Sequence, residues 1–430
     1  MVLAAGPERT RTPPTPATRT ARRAAGRRQL EIGPVTATLE KTSWRDAIHE
    51  LAAFERPSAS DGERRAAEWI AARLRELGCE AAVERERAHG GYWWPIGIGN
   101  ALALAGAWLA RRGRRGLGAA LAGSAAAALW DDLGHGSRWF RRSFLPRRDT
   151  WNVVAETGDR TAEHTVVVVA HHDAAHSGLV FHPELGRLLP RFAPELHERS
   201  NRWVPILYAV WFGPVAIALG ALLGFRRLLQ AGSAFAFGTM AAMADVGVRA
   251  VVPGANDNLA AVGALLALAG AFEGRAAEGV RVLLVSTGSE ESFSEGMQAF
   301  GERHFPEHDP RKTEFLVLEC VGGPTLLVLE GEGMLRMRDY PPDMREALAE
   351  AAARTGVKIS RGLRTVAATD AIIALRAGYP TATLASVDYT KLPLNYHWPT
   401  DTPDGLHWNT IEDAIAVSEE FVRSAPTRRP

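Results

Sequence analysis

Five short motifs in this 430-residue chain place histidine or acidic side chains at the ends of apolar runs or beside turns. The run Thr165–Ala170 leads into His171-His172-Asp173. There a neutral imidazole can offer a nitrogen to a metal, and a neighbouring carboxylate can fix its tautomer. Pro253-Gly254-Ala255-Asn256-Asp257-Asn258 precedes an apolar helix, so a tight turn can aim Asp257 into a strand-end crevice. Val282–Thr287 runs into Gly288-Ser289-Glu290-Glu291, two adjacent carboxylates whose mutual repulsion calls for a counter-cation. Glu314–Leu318 ends in Glu319, followed by Cys320, and Asn395-Tyr396-His397 lies four residues before Asp401. Each motif alone also reads as something ordinary: a core histidine, an Asx cap, a solvated acidic turn. Their order along the chain is far more specific than any one of them.

The elements that must hold these residues follow from periodicity. Trp151–Glu156, Thr165–Ala170, Val280–Thr287, Glu314–Glu319 and Thr381–Leu384 are short β-rich runs. Asn258–Phe272, Pro342–Arg354, Asp370–Arg376 and Asn409–Arg423 fit helices, and two more helices begin at Trp44 and after Ser60. Such alternation predicts an α/β fold with a mostly parallel central sheet and helices on both faces. In that architecture chemistry collects at the carboxyl ends of the strands, where the motifs fall.

The set resembles the co-catalytic di-zinc peptidase family of bacterial leucyl aminopeptidases, glutamate carboxypeptidases and glutaminyl cyclase relatives. The resemblance implies two Zn2+ ions per chain. One is held by His171 and Glu319, the other by Glu291 and His397, and Asp257 bridges both. It further implies Glu290 as general base, Asp173 orienting His171, Asp370 and Asp401 as outer support, and hydrolysis by a hydroxide bridging the metals. Three carboxylates then balance most of the four positive charges. Thr369-Asp370-Ala371 departs from the family's Ser-Asp-His, and Val366 stands near where some members place a tyrosine. The expected activity is that of an exopeptidase, most nearly an aminopeptidase, acting on a peptide or aminoacyl substrate. Two rivals are a glutaminyl cyclase-type acyltransferase with a single zinc and a metal-free receptor-like relative.

Composition narrows the classes further. A net charge of +1 gives no field to attract nucleic acid, and two cysteines exclude a disulfide scaffold. The 23% of charged residues are unevenly spread, leaving long uncharged stretches. Residues 1–40 read as a disordered basic tail and 41–430 as the zinc peptidase domain, interrupted by apolar hairpins at 92–130 and 203–248. Tyr92–Ala110 and Trp203–Phe225 are uncharged, open on aromatic residues and end at arginines, the pattern of segments that contact a lipid bilayer. The expectation is a membrane-associated protein whose catalytic domain is cytoplasmic, with inserts separable from catalysis.

Overall fold

The computed structural model describes residues 43–202, 207–272 and 278–428, so the expected tail at 1–40 and the start of the Trp203–Phe225 run lie outside the described residues. Strands β1 (Glu80–Ala88), β2 (Arg148–Gly158), β3 (His164–His171), β4 (Val280–Thr287), β5 (Thr313–Glu319) and β6 (Thr325–Val328) are followed by three short strands. These are β7 (Gly331–Glu332), β8 (Arg338–Asp339) and β9 (Arg364–Thr365), and β10 (Thr381–Val387) returns to the main sheet. The seven-stranded order is β1-β2-β4-β3-β5-β10-β6. The four central strands β4, β3, β5 and β10 run parallel, and antiparallel partners flank them on both sides.

Alternation along β3 shows why its Val-rich run is apolar throughout. Val166 and Val168 enter one core with the helices Asp61–Glu76, Ala260–Phe272, Pro342–Thr355 and Trp408–Arg423, while Val167 and Val169 enter the other with Met297, Phe300 and Tyr379. A strand buried on both faces has no polar face to show. Edge strand β1 reads Glu-Ala-Ala-Val-Glu-Arg-Glu-Arg-Ala, and this charge-rich pattern carries no apolar run to announce it. Charges suit an edge because they discourage further strand pairing. The helix after Ser60 starts as expected, with the Ser60 hydroxyl accepting from Glu63 N at 3.1 Å.

The two inserts fold as helical hairpins, Trp93–Arg111 with Arg115–Leu133 and Leu207–Leu223 with Arg226–Val248, and the four helices pack together. In the second hairpin the arginine pair opens the returning helix, and the turn falls at Gly224-Phe225. The bundle is apolar inside and outside. One part of its interior is lined mostly by small residues such as Ala103, Ala107, Ala122, Ala125 and Ala236, while another holds Ile96, Leu129, Leu133 and Met243. Large residues point outward, among them Trp108 (57% exposed), Leu222 (66%) and Phe237 (60%). Small residues bring the backbones close: a Cβ on Gly106 would lie 2.6 Å from the Gly118 carbonyl oxygen. Water-soluble bundles bury their large apolar side chains, whereas helices packed in lipid meet through small ones. Among the described residues, Arg226–Val248 and the run Ala255–Phe272 are long and apolar enough to cross a membrane, but the latter is mostly buried in the sheet's core.

Candidate metal centre

All five expected ligands arrive at the carboxyl ends of the parallel strands. His171 is the last residue of β3, Glu291 follows β4, Glu319 closes β5, and His397 lies in the loop beyond β10. Asp257 comes from the turn before helix Ala260–Phe272. Gly254 opens that turn at φ +60°, and a Cβ there would sit 2.6 Å from the Asp257 carbonyl oxygen, so glycine is required.

The ligand atoms converge in two triads sharing Asp257. His171, Asp257 and Glu319 form one; Asp257, Glu291 and His397 form the other, with the donor atoms of each within 4.8 Å of one another. His171 Nε2 is 3.2 Å from Asp257 Oδ1 and 3.7 Å from Glu319 Oε1. His397 Nε2 is 3.3 Å from Asp257 Oδ2 and 3.1 Å from Glu291 Oε2. His171, Glu290 and Glu291 form a third such group, with Glu290 Oε2 3.9 Å from His171 Nε2; this group does not include Asp257.

The electrostatics favour a bound cation. Burial pushes Glu291 up to about 7 despite His397, and it holds Glu290 well above the usual carboxylate range, with Glu319 and Asp370 adding to the shift. Burial works against a charge on His397, yet Glu291 and Asp257 carry it up to about 10. Asp257 Oδ2, Glu291 Oε1 and His397 Nδ1 are buried without a hydrogen bond among the described residues. This donor set, carboxylate oxygens and imidazole nitrogens, fits zinc.

The surrounding residues explain why the motifs are longer than their ligands. Asn256 donates to Leu394 O at 3.1 Å and accepts from Gly322 N at 2.8 Å. Asn258 donates to Leu318 O and accepts from Cys320 N, both at 2.9 Å. The Asn-Asp-Asn turn thereby ties Asp257 to the Glu319 strand and the His397 loop. Asp401 accepts from Asn256 N at 2.7 Å and Asp257 N at 3.1 Å, fixing the same turn from outside. Asp173 Oδ1 lies 3.3 Å from His171 Nδ1, and its two oxygens accept from Glu290 N and Glu291 N at 3.1 Å each. Asp370 accepts from the Thr287 hydroxyl at the end of β4.

Sequence reasoning missed several participants. Arg56 is fully buried and donates to the carbonyls of His172 (2.8 Å), Pro253 (2.7 Å) and Gly254 (2.9 Å), a cation strapped behind two motif turns. Glu63 is buried and accepts from Ser289 N at 3.0 Å, which pins the turn before Glu290. Neither residue sits in a motif; both lie in or beside the entry helices, and only tertiary packing brings them in. The Tyr396 ring stacks on His397 with centroids 3.9 Å apart, so this motif residue is also part of the site.

The inserts reach the site as well. The Phe181 ring meets His397 edge-on at 4.5 Å, and Tyr92 stacks on Phe293 at 5.2 Å. Arg141 is fully buried, pairs with Asp132 through two 2.9 Å bonds, and donates to Ser292 O at 2.7 Å. It also lies 3.1 Å from Glu295. Tyr92, at the start of the first insert, and Phe181, in the segment leading to the second, therefore supply rings that touch the loops bearing Glu291 and His397. Asp132→Ala leaves the Arg141 charge buried with one carboxylate fewer, and breaking such a pair costs about 3 kcal/mol. Thermal unfolding should show a clearly lowered midpoint, and an unchanged one would remove Arg141 from the list of structural anchors.

No curated protein sequence matches the chain. The family described as Peptidase family M28 matches residues 240–422, a stretch that holds Asp257, Glu290, Glu291, Glu319 and His397 and leaves His171 and Asp173 outside. A glutaminyl cyclase from Bacteroides thetaiotaomicron bound to N-acetylhistamine superposes over 89% of this chain and 97% of its own, with TM-score 0.53 and 13% identity. A Zn-dependent exopeptidase from Parabacteroides distasonis superposes over 89% and 97%, with TM-score 0.51 and 12% identity. An aminopeptidase from Aneurinibacillus sp. strain AM-1 covers 90% and 94%, with TM-score 0.52 and 12% identity. At these identities the likeness is one of fold, and the M28 match supports a zinc-dependent metallopeptidase-type hydrolase. The resemblance in the motifs stands: residues 240–422 match peptidase family M28, on the fold that zinc exopeptidases and glutaminyl cyclases share.

Proposed function

We propose that the protein is a membrane-associated exopeptidase, an aminopeptidase by preference, that works with two zinc ions. The observation that carries this reading is the pair of triads meeting at Asp257. His171 and Glu319 would hold one ion, Glu291 and His397 the other, and Asp257 would touch both. Zinc at such a site supplies Lewis acidity, activating water near neutral pH and polarising a carbonyl. The chain's own residues do the rest. Glu290 belongs to neither of the two triads that share Asp257, and its raised affinity for protons suits a group that takes one from water and returns it to the leaving amine. Asp173 keeps Nδ1 of His171 engaged, so Nε2 faces the ligands.

Bilayer contact is read from the bundle. Helix Arg226–Val248, of 23 residues, spans about 34 Å at ~1.5 Å per residue, enough for a hydrocarbon core of ~30 Å. Large apolar side chains cover the outside, and Arg111, Arg112, Arg114, Arg115, Arg226 and Arg227 are all exposed at the hairpin tips. Zinc analysis of purified protein, combined with a screen of aminoacyl, acyl-amino-acid and N-terminal glutaminyl substrates, tests the activity. Two zinc ions and released amino acid are the expected result. Pyroglutamate as the product would replace peptidase by cyclase, and protein that neither binds zinc nor turns over any of these substrates would leave the receptor-like reading.

A further inference from the structure

Between β3 and the second hairpin the chain forms a short turn, Leu179–Phe181, and two small helices, Pro183–Phe192 and Pro194–Arg199. None of the site's ligands lies in this segment. We propose that Leu179–Arg199 is a lipid-surface strap that lies flat on the bilayer beside the bundle and clamps the His397 loop at the membrane surface.

The first support is its exposed face. Leu185, Leu188 and Phe192 recur at i, i+3 and i+7, so they form one stripe of helix Pro183–Phe192, and Phe192 is 74% exposed. Leu179 before the helix and Leu196 after it are also exposed, at 56% and 61%. Glu184, Arg187 and Arg191 occupy the neighbouring stripe, also exposed. An apolar stripe bordered by charges is the design of a helix lying in a membrane interface.

The second support is position, and it selects lipid as the occupant. Leu179 N donates to Asp245 Oδ2 at 2.7 Å. Asp245 is the one acidic residue of helix Arg226–Val248, near its domain end, and marks the level at which the apolar bundle meets water. A segment bonded there leaves the bundle at that level, which would set the stripe of the following helix at the same height. This step rests on the bilayer reading of the bundle.

The third support is the opposite side of the strap, which grips the active-site loop. His182 packs edge-on against Trp398 at 4.8 Å, one residue after His397. His197 Nε2 lies 2.9 Å from Tyr389 O, and Lys391 Nζ donates to Ser200 O at 2.8 Å. With the contact of Phe181 to His397, these bonds attach both ends of the strap to residues 389–398. With the strap on the bilayer the His397 loop is held near the lipid surface, so that peptides presented there would be the substrates within reach.

Cys79 and Cys320 are both buried, so single surface cysteines can be labelled selectively. Leu188→Cys, Phe192→Cys and, as a bundle control, Leu219→Cys would carry an environment-sensitive fluorophore in the full-length zinc-loaded protein. Each would be reconstituted in phosphatidylcholine vesicles with and without brominated acyl chains. All three labels are expected to lose most of their fluorescence to the brominated lipid. Quenching at 219 with none at 188 and 192 overturns the strap and leaves the bilayer reading intact. Labels at 188 and 192 shielded from aqueous iodide but untouched by bromolipid would mean a protein covers this face, which also overturns it. No quenching anywhere removes the bilayer reading and the strap together.

Discussion

Glu290→Gln is expected to lower kcat by about a hundredfold to ten-thousandfold, the usual cost of losing a general base. Zinc content should stay at the wild-type level if the ions are held by the two triads that meet at Asp257, which leave Glu290 out, and not by the group of His171, Glu290 and Glu291. The amide is nearly isosteric, and the backbone N–H groups of both glutamates remain bonded to Asp173. A structural collapse is therefore not the expected cause of the loss. The decisive measurement pairs steady-state kinetics with metal analysis of the same preparation. Near-normal turnover in zinc-replete Glu290→Gln protein would strip Glu290 of its role.

Asp257→Ala should act differently and more completely. Asp257 stands between His171 and His397 at 3.2 and 3.3 Å, so its removal takes a donor from both triads at once. The loss of both ions, with activity falling to background, is the expected outcome after dialysis against a weak chelator. Glu319→Ala, which touches one triad only, provides the comparison. Two zinc ions retained in Asp257→Ala would contradict a shared ligand, whatever happened to the rate.

Legibility in the sequence divided along physical lines. The central strands were readable because burial on both faces leaves an unbroken apolar run, as in Thr165–Ala170, and the ligands were readable because they end those runs. β1 was not, since its alternating glutamates and arginines reflect an edge position that only the sheet defines. The hairpins were readable from the absence of charge, but not their packing: apolarity shows which residues avoid water, while which tryptophans pack inside, as Trp130 and Trp211 do, and which stay outside, as Trp108 does, depends on helix pairing. Arg56 and Glu63 were invisible for a related reason. A buried ion is identified by its partners, and three of the four carbonyls that accept from Arg56 are more than a hundred residues away. Asp401 was visible as a residue, but what it holds, the backbone of the Asp257 turn, emerged only from the fold.

The placement of the hairpins has a consequence for how such an enzyme can be controlled. A catalytic domain tethered through one chain end can be shed: a single proteolytic nick frees it, and the activity diffuses away. Here β1 precedes the first hairpin, β2 and β3 lie between the hairpins, and β4, β5 and β10 follow the second. With the bundle in a bilayer, a nick in either hairpin leaves the pieces joined through the hydrogen bonds of one sheet, and even two nicks free nothing intact. Activity of a protein inserted in this way would stay where it is inserted, and ending it would require destruction of the whole molecule rather than its release.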